Sequence, residues 1–108
     1  MKEVIILPSE KEKAKMLFKQ LKARIKKWDD LTDKELQLML KHYPSLFPCE
    51  FKEDDVPCGY PAYVIILAKN QNKSLKFCAC KVHYVRLTLA LLHKGYEVKW
   101  IKRWNNAN

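Results

Sequence analysis

The sequence predicts an α+β fold, with two N-terminal helices and a C-terminal helix packed on a small mixed β-sheet. Three observations lead there. Ser9 and Thr32 each stand three residues before a glutamate, Glu12 and Glu35, and this capping-box spacing opens a helix. Apolar, strand-like segments recur at 62–68, 75–78 and 96–100. Between the second and third of these lies a helical stretch, Lys81 to Lys94, closed by Gly95, a residue that readily takes the left-handed turn at a helix end.

The elements follow in order. Val4-Ile5-Ile6-Leu7 is a short β-branched run stopped by Pro8 and reads as a buried strand. Past Ser9, the residues Ala14, Leu17, Phe18, Leu21, Ile25 and Trp28 recur at helical spacing, so one stripe of the first helix faces a core. Asp29 and Asp30 break the pattern. A shorter helix through Leu36, Met39 and Leu40 must end before Pro44, because the residue ahead of a proline disfavours helical geometry. Residues 44–59 are irregular. Ala62 to Ala68 is apolar almost throughout, as a central strand is. Asn70 to Lys73 is turn-like, Leu75 to Cys78 returns as a strand, and Tyr96, Val98 and Trp100 alternate with Glu97 and Lys99 in a last one. The asparagine-rich tail from Trp104 is expected to fray.

The 108 residues suit a single domain spanning 1–108, with a strand and basic helical part over 1–43 and a hairpin, helix and strand part over 44–103. No segment approaches the roughly 18 apolar residues that cross a bilayer. The apolar start before Pro8 is too short for a secretory signal core, so the expectation is a cytoplasmic protein with no membrane partner. A reducing compartment disfavours disulfides, so four cysteines there point to metal or to buried thiols. The formal charge of +9 favours a polyanionic or acidic partner.

Cys80-Lys81-Val82-His83 carries the sharpest chemical signal. Residues three apart in a helical turn share a face, so Cys80 and His83 can offer a thiolate and an imidazole to one ion. The loop ahead of the first hairpin strand supplies Cys49 and Cys58, completing four ligands for a structural Zn²⁺. Cys78 is an alternate ligand, since it precedes Cys80 by two residues, and it could equally be a buried thiol. A Cys49–Cys58 disulfide is a further alternative. His42 and His93 read as surface or helix-end residues. The span 49–95 resembles treble-clef-like and zinc-ribbon-like modules, in which a cysteine pair precedes a β-hairpin and a Cys-x-x-His opens the next helix. The resemblance rests on Cys49, Cys58, the hairpin 62–78 and Cys80-x-x-His83. It departs at the first pair, where eight residues stand between the cysteines instead of two to four, so that loop must fold back on itself.

A second signal is electrostatic. Lys15, Lys19, Lys22 and Lys26 are spaced four, three and four apart on the first helix, with Lys11, Lys13, Arg24 and Lys27 beside them. A merely solvated helix face mixes Glu with Lys to gain ion pairs, whereas this one accepts lysine–lysine repulsion. The ridge is long enough to meet several successive phosphates. Lys99, Lys102 and Arg103, with Trp100 and Trp104 interleaved, form a second basic and aromatic cluster, in which Trp100 is expected to pack inward and Trp104 to be the exposed contact. The functional expectation is a small non-enzymatic zinc-binding protein that binds nucleic acid through its lysine-rich helix. The alternative is a protein-interaction module that meets an acidic protein surface, such as a small virus- or plasmid-encoded inhibitor or adaptor. A metal-dependent nuclease is the least favoured reading. It would need Glu97 and Lys99 to be joined by an acid such as Glu53, Asp54 or Asp55.

Overall fold

The structure, a computed structural model, describes residues 9–103. The expected strand at 4–7 and Trp104 lie outside the described residues. Helix α1 spans Glu10–Lys22 and α2 spans Asp33–His42. A short ribbon follows, β1 (Lys52–Glu53) and β2 (Val56–Pro57), then β3 (Val64–Lys69), β4 (Ser74–Ala79), α3 (Tyr84–His93) and β5 (Glu97–Lys102). Short 3₁₀ turns at Trp28–Asp30 and Pro44–Leu46 link the first elements.

Helix α2 starts as its sequence dictates. The Thr32 hydroxyl accepts from Glu35 N–H and the Glu35 carboxylate accepts from Thr32 N–H, which satisfies two of the otherwise unpaired donors at the helix end. At α1 only half of this device forms: Ser9 Oγ accepts from Glu12 N–H. Helix α1 also ends earlier than the apolar spacing predicts. Arg24 adopts φ 60°, the chain turns there, and Ile25 is left 79 % exposed. A left-handed residue cannot continue a right-handed helix, so Lys26 and Lys27 leave the ridge. Lys26 instead pairs with Glu35 of α2, and Lys41 of α2 pairs with Glu10 at 2.8 Å, so ion pairs tie α2 to the linker after α1 at one end and to the start of α1 at the other.

The main sheet has order β4-β3-β5, and β3 pairs antiparallel with both neighbours. The sheet is therefore antiparallel throughout, not mixed: a tight turn joins β3 to β4, and β5 arrives from α3 against the direction of β3. Side chains alternate along β3, and the core divides accordingly. Ile65, with Ile101 of β5, packs on Ala14, Leu17, Leu36, Met39 and Leu40 of α1 and α2. Val64, Ile66 and Ala68 face the other way, with Leu91 of α3. The sheet is thus a partition between two helical layers, and this explains why β3 is apolar at nearly every position. Trp100 lies on the α3 side. Its indole N–H donates to Thr88 Oγ1 at 2.9 Å, yet it remains 38 % exposed. Gly95, at φ 89°, turns the chain from α3 into β5 in the conformation glycine adopts without strain.

Candidate metal centre

Two local structures bring the four predicted ligands together. The first is the ribbon. Asp54 and Asp55 have φ 51° and 64°, the paired left-handed conformation of a type I′ hairpin turn, which aspartate tolerates better than most residues. The turn reverses the chain within two residues and sets β1 against β2. Cys58 N–H then donates to Phe51 C=O at 2.9 Å and Gly59 N–H to Cys49 C=O at 3.3 Å, so Cys49 and Cys58 lie on adjoining legs of one hairpin. The eight intervening residues are the fold-back that the long spacing demands. The second structure is the turn at the start of α3, where Cys80 C=O accepts from both His83 N–H (3.2 Å) and Tyr84 N–H (3.0 Å).

The donor atoms converge. Cys80 Sγ lies 3.3 Å from His83 Nδ1 and 3.8 Å from Cys58 Sγ, and Cys49 Sγ lies 3.7 Å from the same imidazole nitrogen. All four donors fall within 4.8 Å of one another and could hold a metal ion. Cys49 and Cys80 are buried, whereas Cys58 and His83 are partly exposed, so the group sits at the edge of the fold. All four cysteines are free thiols, so Cys49 and Cys58 do not form the alternative disulfide.

Backbone donors are aimed at the sulfurs. Burial pushes the Cys49 thiol up to about 11, against the pull of the Cys80 and Phe51 backbone N–H groups. At Cys80 burial also pushes upward, but the N–H groups of His83 and Val82, with the neighbouring thiols of Cys49 and Cys58, outweigh it and hold the thiol below its usual value. Around the four donors, Phe51 stacks on the His83 ring at 4.3 Å between centroids, and the Arg86 guanidinium lies over Phe51 at 5.2 Å. Sequence reading passed over Phe51, Arg86 and Glu50. Phe51 could have been suspected from its place between Cys49 and Cys58. Glu50 could not, because its role depends on register: its N–H donates to Cys78 C=O, and its carboxylate accepts from Cys78 N–H.

Cys78 does not join the group. Its side chain packs with the α1 and α2 core, while Cys80 stands beyond the end of β4, so strand alternation no longer relates the two. Burial, followed by the Glu50 charge, pushes the Cys78 thiol up to about 11. A thiol whose folded value is raised contributes stability below the unfolded value near 9 and loses it as pH climbs through the folded value near 11. The fold should therefore weaken across that window, by about 3 kcal/mol from this residue alone. Thermal melts of the wild type and of Cys78→Ala at a series of pH values should show a shallower alkaline decline in the variant.

The basic residues are only partly gathered. Lys11, Lys15, Lys19 and Lys22 remain on one flank of α1, all exposed, and none is paired with a carboxylate among the described residues. Lys26 is tied to Glu35, and Lys27 lies beyond the helix. Lys102 sits over the Trp100 ring at 5.5 Å, away from α1, and Arg103 follows the end of β5. Glu97 pairs in register with Lys69, at the end of β3 opposite the ribbon, and Lys99 is bound to Asp33. Among the described residues, Glu97 belongs to no group of three or more potential metal ligands. No described helix is long and apolar enough to cross a membrane. No family model matches the chain, and no curated protein or solved structure matches it either.

Proposed function

We propose that the four donors hold one Zn²⁺ as a structural cross-link, and that the chain is a non-enzymatic module binding nucleic acid along the lysine flank of α1. The convergence of three thiols and one imidazole carries the metal reading. With Zn–S near 2.3 Å and Zn–N near 2.0 Å, a tetrahedral site has S–S edges of about 3.8 Å and S–N edges of about 3.5 Å. Three of the six donor separations, 3.8, 3.7 and 3.3 Å, lie near those edges, and all six stay within 4.8 Å. Four protein ligands leave no position for a water, so the ion would supply folding energy and no chemistry. A cysteine-bearing ribbon, a β-hairpin and a Cys-x-x-His turn leading into a helix also support the treble-clef-like reading.

The nucleic-acid reading rests on the unpaired lysines of α1. From Lys11 to Lys22 the flank runs about 16 Å. Phosphates bound there would displace counterions, so affinity should fall steeply with salt. Fluorescence polarisation with labelled duplex DNA and RNA over a salt series tests this. The triple variant Lys15→Gln, Lys19→Gln, Lys22→Gln should flatten the log–log salt slope by about 2.7, at roughly 0.9 per lost phosphate contact. Absence of binding by the wild type at low salt, for both nucleic acids, would overturn the reading. Recovery of one stoichiometric protein after nuclease treatment, lost in the same variant, would replace it with an acidic protein partner.

A further inference from the structure

The outer face of α3 carries apolar side chains that the fold does not use. Val82, in the turn leading into the helix, is 76 % exposed, and Val85, Leu89 and Leu92 are 45, 60 and 50 % exposed. The inward side of the same helix is Tyr84, Leu87, Thr88 and Leu91. The exposed four are spaced three, four and three apart, which is the a/d seam of a heptad repeat. With Val82 at a, Arg86 and His93 fall at e positions and Lys81 at g. No acidic residue occurs from Lys81 to Gly95.

From this seam and its flanks we infer a docking surface for an amphipathic helix of another protein, with an apolar seam of its own and acidic residues beside it. Flanking e and g charges select the partner of a heptad seam. A second copy of this chain would set Lys81 and Arg86 against the same cations, whereas glutamates on a partner helix would meet them. The strip is confined to the a and d positions, narrower than the face a helix lays into a lipid surface. Lys102, over the exposed Trp100 on this side of the sheet, adds another cation. This surface lies across the sheet from α1 and does not depend on the nucleic-acid reading.

The probe is a synthetic helical peptide with leucine at a and d and glutamate at e and g, titrated into the full-length zinc-loaded protein. Binding is followed by polarisation and by two-dimensional NMR. The acidic peptide should bind and shift the amides from Val82 to Leu92. Leu89→Gln with Leu92→Gln should weaken binding by about tenfold or more. That variant should keep its metal content and melting temperature, since both side chains already face solvent. A peptide with lysine at e and g should not bind, and the α1 lysine variant should bind the acidic peptide as the wild type does. The inference is overturned if the acidic peptide fails to bind, or if its binding is lost with the α1 lysines and not with Leu89 and Leu92. It is equally overturned if sedimentation shows the protein dimerising through Leu89, or if Leu89 and Leu92 drive binding to phosphatidylglycerol vesicles and not to the peptide.

Discussion

Cys80→Ala should abolish metal binding and unfold the ligand-bearing part of the chain. Elemental analysis of the wild type should find one zinc per chain, and the variant should carry none. Of the four donors, Cys80 has the largest expected effect. It is buried, its sulfur lies beside both His83 and Cys58, and its carbonyl holds the turn that starts α3. Structural zinc in small fingers contributes roughly 10–16 kcal/mol of apparent binding energy at neutral pH. Here α1, α2 and the sheet have cores of their own, so only the ribbon and the start of α3 should lose order. NMR should show the amides of residues 49–60 and 80–84 collapsing toward unfolded shifts while those of α2 and β3 stay dispersed. Because thiols must shed their protons to bind the ion, metal-dependent stability should fall as pH falls. Calorimetric titration of zinc in buffers of different ionisation enthalpy should register proton release, with Cys49 among the sources, since its buried thiol is protonated at neutral pH in the metal-free fold. A wild-type protein with no bound metal and an unchanged melt after chelation would remove the cross-link from the account.

Ile65→Ala and Ile66→Ala should each cost about 2–5 kcal/mol, the usual range for emptying a fully buried isoleucine site. Neighbours in sequence, they serve opposite sides of β3. Ile65 packs with Met39 and Leu40 of the helical pair, and Ile66 with Leu91 of α3. Both are 0 % exposed, so neither cavity opens to water. Urea denaturation should show two similar losses. Amide exchange should separate them, with Ile65→Ala loosening α1 and α2 and Ile66→Ala loosening α3. If only one of the pair were costly, β3 would be covered on one side only.

Much of this was legible in the chain because it is written in local chemistry. Thr32 and Glu35 signal α2 wherever the helix is placed, and Gly95 marks the end of α3 through a backbone preference that needs no tertiary contact. Cys80 and His83 were legible for the same reason. The end of α1 was not. Ile25 and Trp28 keep the helical spacing, but the turn at Arg24 and the pairing of Lys26 with Glu35 are settled by α2, a partner that periodicity along one segment does not register. The pairing of Cys49 with Cys58 could be stated as a need, but its means could not. Asp54-Asp55 is a less usual I′ sequence than Asn-Gly, and the two positive φ angles become visible only in three dimensions. The antiparallel course of β5 likewise depends on how α3 crosses the sheet.

A sheet with β3 in the middle has two outer strands, and among the described residues no further strand pairs with either. Such rims invite end-to-end growth into aggregates. At one place the rim of β4 is already stoppered, where Glu50 occupies the free N–H and C=O of Cys78. Elsewhere, Lys76 on one border and Lys102 on the other put positive charge where a neighbouring strand would have to approach. Part of the excess charge thus stands where it can discourage edge-to-edge growth. Neutralising Lys76 and Lys102 should make the protein precipitate at a lower concentration than the wild type.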